Sequence, residues 1–255
     1  MFATGDVSSG NIVGYQQITL PNGFSFFTAT FKDCGSVASS LDIQKISSTQ
    51  TDGSDWKTSG SSNTKCAGNI RVQKVGTSGA YLDEYRYYST KTPQGWYNSD
   101  GTAYITDGTV SLENGEGLVV NNTHPVGAKL LVRGEVELVP ARVLPNGFSF
   151  CGNFTPVTVD LQDITSTQAD GTEWKTSGSS NTKCTGNIRI QKIGTDGAYL
   201  DEYRYYSTKT PQGWYDSTGT TYIEKNTVSF AAGEGFVVNN THPVGARLVL
   251  PNPVE

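Results

Sequence analysis

Charged residues make up only 17% of the 255-residue chain, and histidine occurs twice. With His124 and His242 alone, and no Cys-x-x-Cys pair, the ligands for a zinc site are missing. There is no GxSxG elbow, HExxH motif or Walker-type loop, so the sequence predicts no enzyme and no cofactor. A formal net charge of −5 without a basic cluster argues against nucleic acid as a partner. No apolar run is long enough to span a bilayer. The opening MFATGDVSSG lacks both a charged n-region and an apolar h-region, so the expectation is a mature exported form or a cytoplasmic chain.

What the chain does contain, it contains twice. KTSGSSNTKC at 57–66, YLDEYRYYSTKTPQGWY at 81–97 and VNNTHPVGA at 120–128 recur unchanged at 175–184, 199–215 and 238–246, each 118 residues on. The first copy of LPNGFSF, at 20–26, returns at 144–150, which is 124 residues on, so repeat one carries six extra residues between 27 and 46. A unit of that length is one ordinary domain rather than one turn of a solenoid. The expected organisation is an N-terminal arm over 1–9, a β domain over 10–133 and a second over 134–255, abutting without a linker.

The composition, with 29 Gly, 13 Tyr and 10 Phe, is poor in helix formers and rich in turn and strand formers. It predicts an all-β protein of two tandem homologous sandwich-like or barrel-like domains. Alternation places Tyr81, Asp83, Tyr85 and Tyr87 on one face of a strand and Leu82, Glu84, Arg86 and Tyr88 on the other. Residues 70–75 and 81–88 read as a hairpin closed by the GTSG turn, repeated at 188–206 around GTDG. Further strands are expected over 12–20, 24–31, 110–112, 118–121 and 128–132.

Four groups of residues are candidates for a specific role. Each unit holds two cysteines at near-equal spacing, so disulfides Cys34–Cys66 and Cys151–Cys184 are expected, with four free buried thiols as the alternative. Each histidine precedes a proline, which suits a turn better than a catalytic base. The acidic turns at Asp52 and Asp55, and at Asp170 and Glu173, offer two carboxylates each, too few for calcium by themselves. Trp56, Trp96 and Tyr97, with their counterparts Trp174, Trp214 and Tyr215, are either core or flat rings for stacking on a glycan. Sequons at Asn121, Asn153 and Asn239 matter only where a cell glycosylates them.

The opening NIVGYQQITLPNGFSF, the GWY tripeptides and the GEGLVV and GEGFVV segments resemble a class of uncharacterised secreted bacterial β-repeat proteins with an IVGY strand and an LPxGF turn. The resemblance implies export, with residues 1–9 at or just after a processing site, and carries no activity. The functional expectation is a secreted structural subunit that joins copies of itself head to tail into an extracellular filament or surface layer. Reuse of the contact between repeats would propagate it. An arm carrying Phe2, Thr4, Asp6 and Val7, continuing through Ile12, Val13 and Tyr15, would dock on a neighbour's sheet edge. The rival expectation is a glycan-binding adhesin with one aromatic site per repeat.

Overall fold

A computed structural model describes residues 12–36, 38–76, 80–194 and 198–254. The protein is all-β. In the first repeat the strands are β1 (Val13–Leu20), β2 (Gly23–Thr28), β3 (Ser40–Asp42), β4 (Ile46–Thr49), β5 (Ala67–Val75), β6 (Tyr81–Tyr88), β7 (Gly95–Tyr97), β8 (Ser111–Glu113), β9 (Gly117–Asn122) and β10 (Ala128–Glu135). The second has β11 (Ala141–Leu144), β12 (Gly147–Gly152), β13 (Val159–Asp160), β14 (Thr165–Thr167), β15 (Thr185–Ile193), β16 (Tyr199–Tyr206), β17 (Gly213–Tyr215), β18 (Ser229–Phe230), β19 (Gly235–Asn240) and β20 (Ala246–Val249).

Sheet order is the same in both. A five-stranded antiparallel sheet, β2-β9-β5-β6-β7 or β12-β19-β15-β16-β17, lies with a three-stranded one, β1-β10-β4 or β11-β20-β14, and a short pair, β3-β8 or β13-β18. These are open sheets sharing a core, and no closed barrel forms among the described residues. The first core joins Phe27, Ile70, Val72 and Val120 of the larger sheet to Leu20, Ile46, Leu130 and Val132 of the smaller. The second repeats this with Ile188, Ile190, Val238, Leu144, Ile164 and Leu248. Burial of alternate residues on facing sheets is what holds each layer pair together.

The expected hairpin forms: β5 pairs with β6, Arg71 opposite Arg86 and Val72 opposite Tyr85. Its turn residues 77–79 and 195–197 lie outside the described residues. Tyr87 faces the core while Glu84 and Arg86 meet on the outer face, Arg86 Nε 2.7 Å from Glu84 Oε1. The strand expected over 24–31 ends at Thr28, although Ala29 and Phe31 are buried in the core. The first core also extends past residue 133, taking in Val136 and Leu138.

Candidate functional site: the contact between the repeats

Where the two repeats meet, the larger sheets approach at backbone distance because three residues have no side chain. A Cβ on Gly117 would lie 2.6 Å from the Phe150 carbonyl carbon, and one on Gly235 would lie 3.0 Å from that of Phe26. Gly117 and Gly235 are equivalent, as are Phe26 and Phe150, so the contact is reciprocal. A Cβ on Gly152 would meet Cγ2 of Thr28, its own counterpart, at 2.5 Å. A residue touching its equivalent marks a two-fold axis. Around it, the Thr28 N–H donates to the Gly233 carbonyl at 3.0 Å and Phe27 bridges to Glu234. On the flanks the acceptors Ala232 and Asn114 are equivalent, whereas their donors are not. Gln16 Nε2 donates to the Ala232 carbonyl at 2.7 Å, while Arg142 Nη1 donates to the Asn114 carbonyl at 3.1 Å.

This geometry corrects one expectation. An isologous contact uses the same patch on both repeats and is complete once made, so it offers nothing to a following subunit. Near the axis the sheets leave an apolar cleft of about 230 Å³ lined by the pairs Phe26 and Phe150, Val75 and Ile193, and Tyr81 and Tyr199, together with Val119.

Apart from the side-chain bonds of Gln16 and Arg142, the edge strands β1 and β11 have no second partner strand among the described residues. β1 pairs with β10 of its own chain, Val13 opposite Glu135 through Leu20 opposite Ala128, and no strand lies on its other side among the described residues. Ile12, Val13 and Tyr15 are exposed, the tyrosine by 72%. The docking segment expected from residue 12 onward is thus already paired within its own chain. Phe2, Thr4, Asp6 and Val7 lie outside the described residues. β11 is the equivalent edge in repeat two, with Val143 exposed.

The cysteine pairing is overturned: all four thiols are free. Cys66 and Cys184 sit in the cores with Sγ on the carbonyls of Tyr87 and Tyr205 at 3.2 Å, Cys151 is buried on β12, and Cys34 is exposed in the turn that only repeat one has. Desolvation pushes the thiols of Cys66, Cys151 and Cys184 above their ordinary range.

The glycan-stacking rings are overturned as well. Trp56, Trp96, Tyr97, Trp174, Trp214 and Tyr215 are all buried. The indole N–H groups of Trp96 and Trp214 donate at 2.6 Å to the carbonyls of Ile46 and Ile164. Tyr97 stands edge-on between Tyr88 and Tyr104, with the Lys91 ammonium over the Tyr88 and Tyr97 rings. Aromatic edge contacts and a cation on the ring face make this segment part of the packing.

The copied VNNTHPVGA is a turn lock. Asn122 Nδ2 donates to the carbonyls of Leu20 and Pro21 at 3.0 and 3.1 Å, and its Oδ1 accepts from the His124 N–H. His124 Nε2 lies 2.9 Å from the Ser62 carbonyl and its ring packs on Trp56 at 4.4 Å, so Nε2 carries the proton and Nδ1 accepts from Val126 N–H. His242 repeats the arrangement on Trp174. Asp52 and Asp170 bond the Ser54 and Thr172 backbone and hydroxyls within their own turns, which holds both carboxyls below the usual range. Among the described residues no group of three His, Cys, Asp or Glu side chains could hold a metal, and no helix is long and apolar enough to cross a membrane.

No protein-family model, curated protein or solved structure matches this chain.

Proposed function

We propose that the protein is a non-catalytic, exported structural subunit that associates with copies of itself through its open sheet edges. The observation that carries this reading is β1: eight residues, VGYQQITL, without a charge or a proline, at the edge of a sheet. Edge strands of monomeric proteins are ordinarily blunted by lysine, proline or a cover, because a bare row of N–H and C=O groups pairs with any strand that reaches it. The two-fold contact leaves a second equivalent edge at β11, so pairing of β1 with β11 of the next copy grows head to tail into a filament or layer. We propose that the arm, residues 1–9, adds to this association. Export rests on the secreted-repeat character of the opening, not on the cysteines.

Sedimentation and electron microscopy of the purified full chain test it. Polymers are expected for the natural sequence, and their loss for the Val13→Lys, Tyr15→Lys double variant and for the chain lacking residues 1–9, with an unchanged melting temperature. A natural chain that stays monomeric at all concentrations overturns the proposal.

A further inference from the structure

The outer face of each five-stranded sheet carries one row of directly opposed residues. Phe24 lies opposite Asn121, Asn121 opposite Arg71, and Arg71 opposite Arg86. Repeat two has Phe148, Asn239, Arg189 and Arg204 in the same row. Directly opposed residues of antiparallel strands share a face, so the row is continuous and, at about 4.8 Å per strand, spans roughly 14 Å.

Two arginines placed opposite each other repel, and in repeat one the sheet balances only Arg86, through Glu84. Glu84 is the only carboxylate of the adjoining row opposite Gln73, and both its oxygens are occupied, one by Arg86 Nε at 2.7 Å and the other by Gln73 Nε2 at 3.1 Å. No group among the described residues bonds to the Arg71 side chain, and its Nε is buried without a partner. The Asn121 amide likewise has no partner among the described residues. Phe24, at the row's end, is 47% exposed. In repeat two, Arg189 is partly engaged, with Nε 3.4 Å from the Gly186 carbonyl and Nη1 4.0 Å from Glu202.

We infer that each outer face binds an acidic saccharide along this row. A guanidinium presents a planar fork that takes a carboxylate bidentately, which supplies the charge missing between Arg71 and Arg86. The free amide of Asn121 offers a donor and an acceptor to an adjacent hydroxyl, and the Phe24 ring offers a flat apolar surface to a sugar face. On a chain of net charge −5, the paired arginines select the anion locally rather than through the overall field. The inference is independent of self-assembly, and it places saccharide recognition on residues other than the buried tryptophans. Two rows on one chain make the protein bivalent toward a long polymer.

Titration calorimetry of the full chain with tetragalacturonate tests this, against a neutral tetrasaccharide and a tetraglutamate peptide. Binding of the acidic saccharide alone is expected, weakened at least roughly tenfold in the Arg71→Gln, Arg189→Gln variant and weakened by added salt. The Arg71→Lys, Arg189→Lys variant is expected to fall between, and the melting temperatures of both variants to stay near the natural value, because Arg71 holds nothing in place and Arg189 makes only a 3.4 Å bond and a 4.0 Å ion pair at the surface. Absence of binding, binding unchanged in the glutamine variant, or equal binding of tetraglutamate would each overturn the inference, the last by showing a face that reads charge alone.

Discussion

Thr28 and Gly152 occupy equivalent positions in the two repeats, and they touch each other across the axis that relates them. On one side stands a β-branched residue and on the other a glycine, because two threonines would not fit there. The same economy of atoms holds at Gly117 and Gly235, whose backbones lie against Phe150 and Phe26.

Gly117→Ala is expected to destabilise by about 1–3 kcal/mol in denaturant titration, because the new methyl group meets backbone that cannot turn aside. Gly117 does not have positive φ, so the cost is steric. Gly235→Ala should cost less, its clearance being 3.0 Å against 2.6 Å. Equal and negligible losses at both would mean that the repeats do not meet as described.

Thiol labelling of the native protein should modify Cys34 and spare Cys66, Cys151 and Cys184, which are buried and whose raised pKa leaves little thiolate. Unfolding without reductant should release all four. Fewer than four would restore a disulfide.

Trp96→Ala and Trp214→Ala should each cost about 3–5 kcal/mol, since each removes a fully buried ring and leaves a carbonyl without its donor. The two losses should be similar, since both rings are fully buried and make the same 2.6 Å bond. A melting series at fixed salt decides this.

Acid should weaken the turns. Asp216 is held at about 2 against an ordinary 3.8; its desolvation raises the value, and bonds from Thr218, Thr220 and Thr221 outweigh that. Asp52, Asp100 and Asp170 are lowered in the same way by hydroxyl and backbone donors. A depressed carboxyl contributes stability that is present above its unfolded pKa and lost as pH falls through the folded one. The melting temperature should therefore decline between about pH 4 and pH 2. Asp216→Asn should flatten part of that decline.

Much of the fold was legible because its signals are local. The alternation in residues 81–88 gave the strand, the inward tyrosines and the Glu84–Arg86 neighbours, and the structure holds all three. The histidines' turn role followed from the adjacent prolines. The free state of the cysteines was not legible, and the tryptophans stood between core and surface, because spacing says nothing about which way a side chain points once sheets stack. Cys66 and Trp56 both flank loops where period-two reasoning stops. The arginine row was hidden for another reason: Arg71 faces Arg86 only through a register set by the irregular pairing between residues 67 and 70.

By itself the sequence determined an all-β chain with one pattern written twice, since strand propensity, turn residues and copied blocks act within a few residues of one another. Only the tertiary structure decided how the two copies face. Identical segments fix identical sheets but leave their relative rotation free, and either a reusable or a closed contact suits the same repeat. That choice was made by packing, where glycines at 117, 152 and 235 let backbone meet backbone around a two-fold axis and left the edges β1 and β11 to the outside.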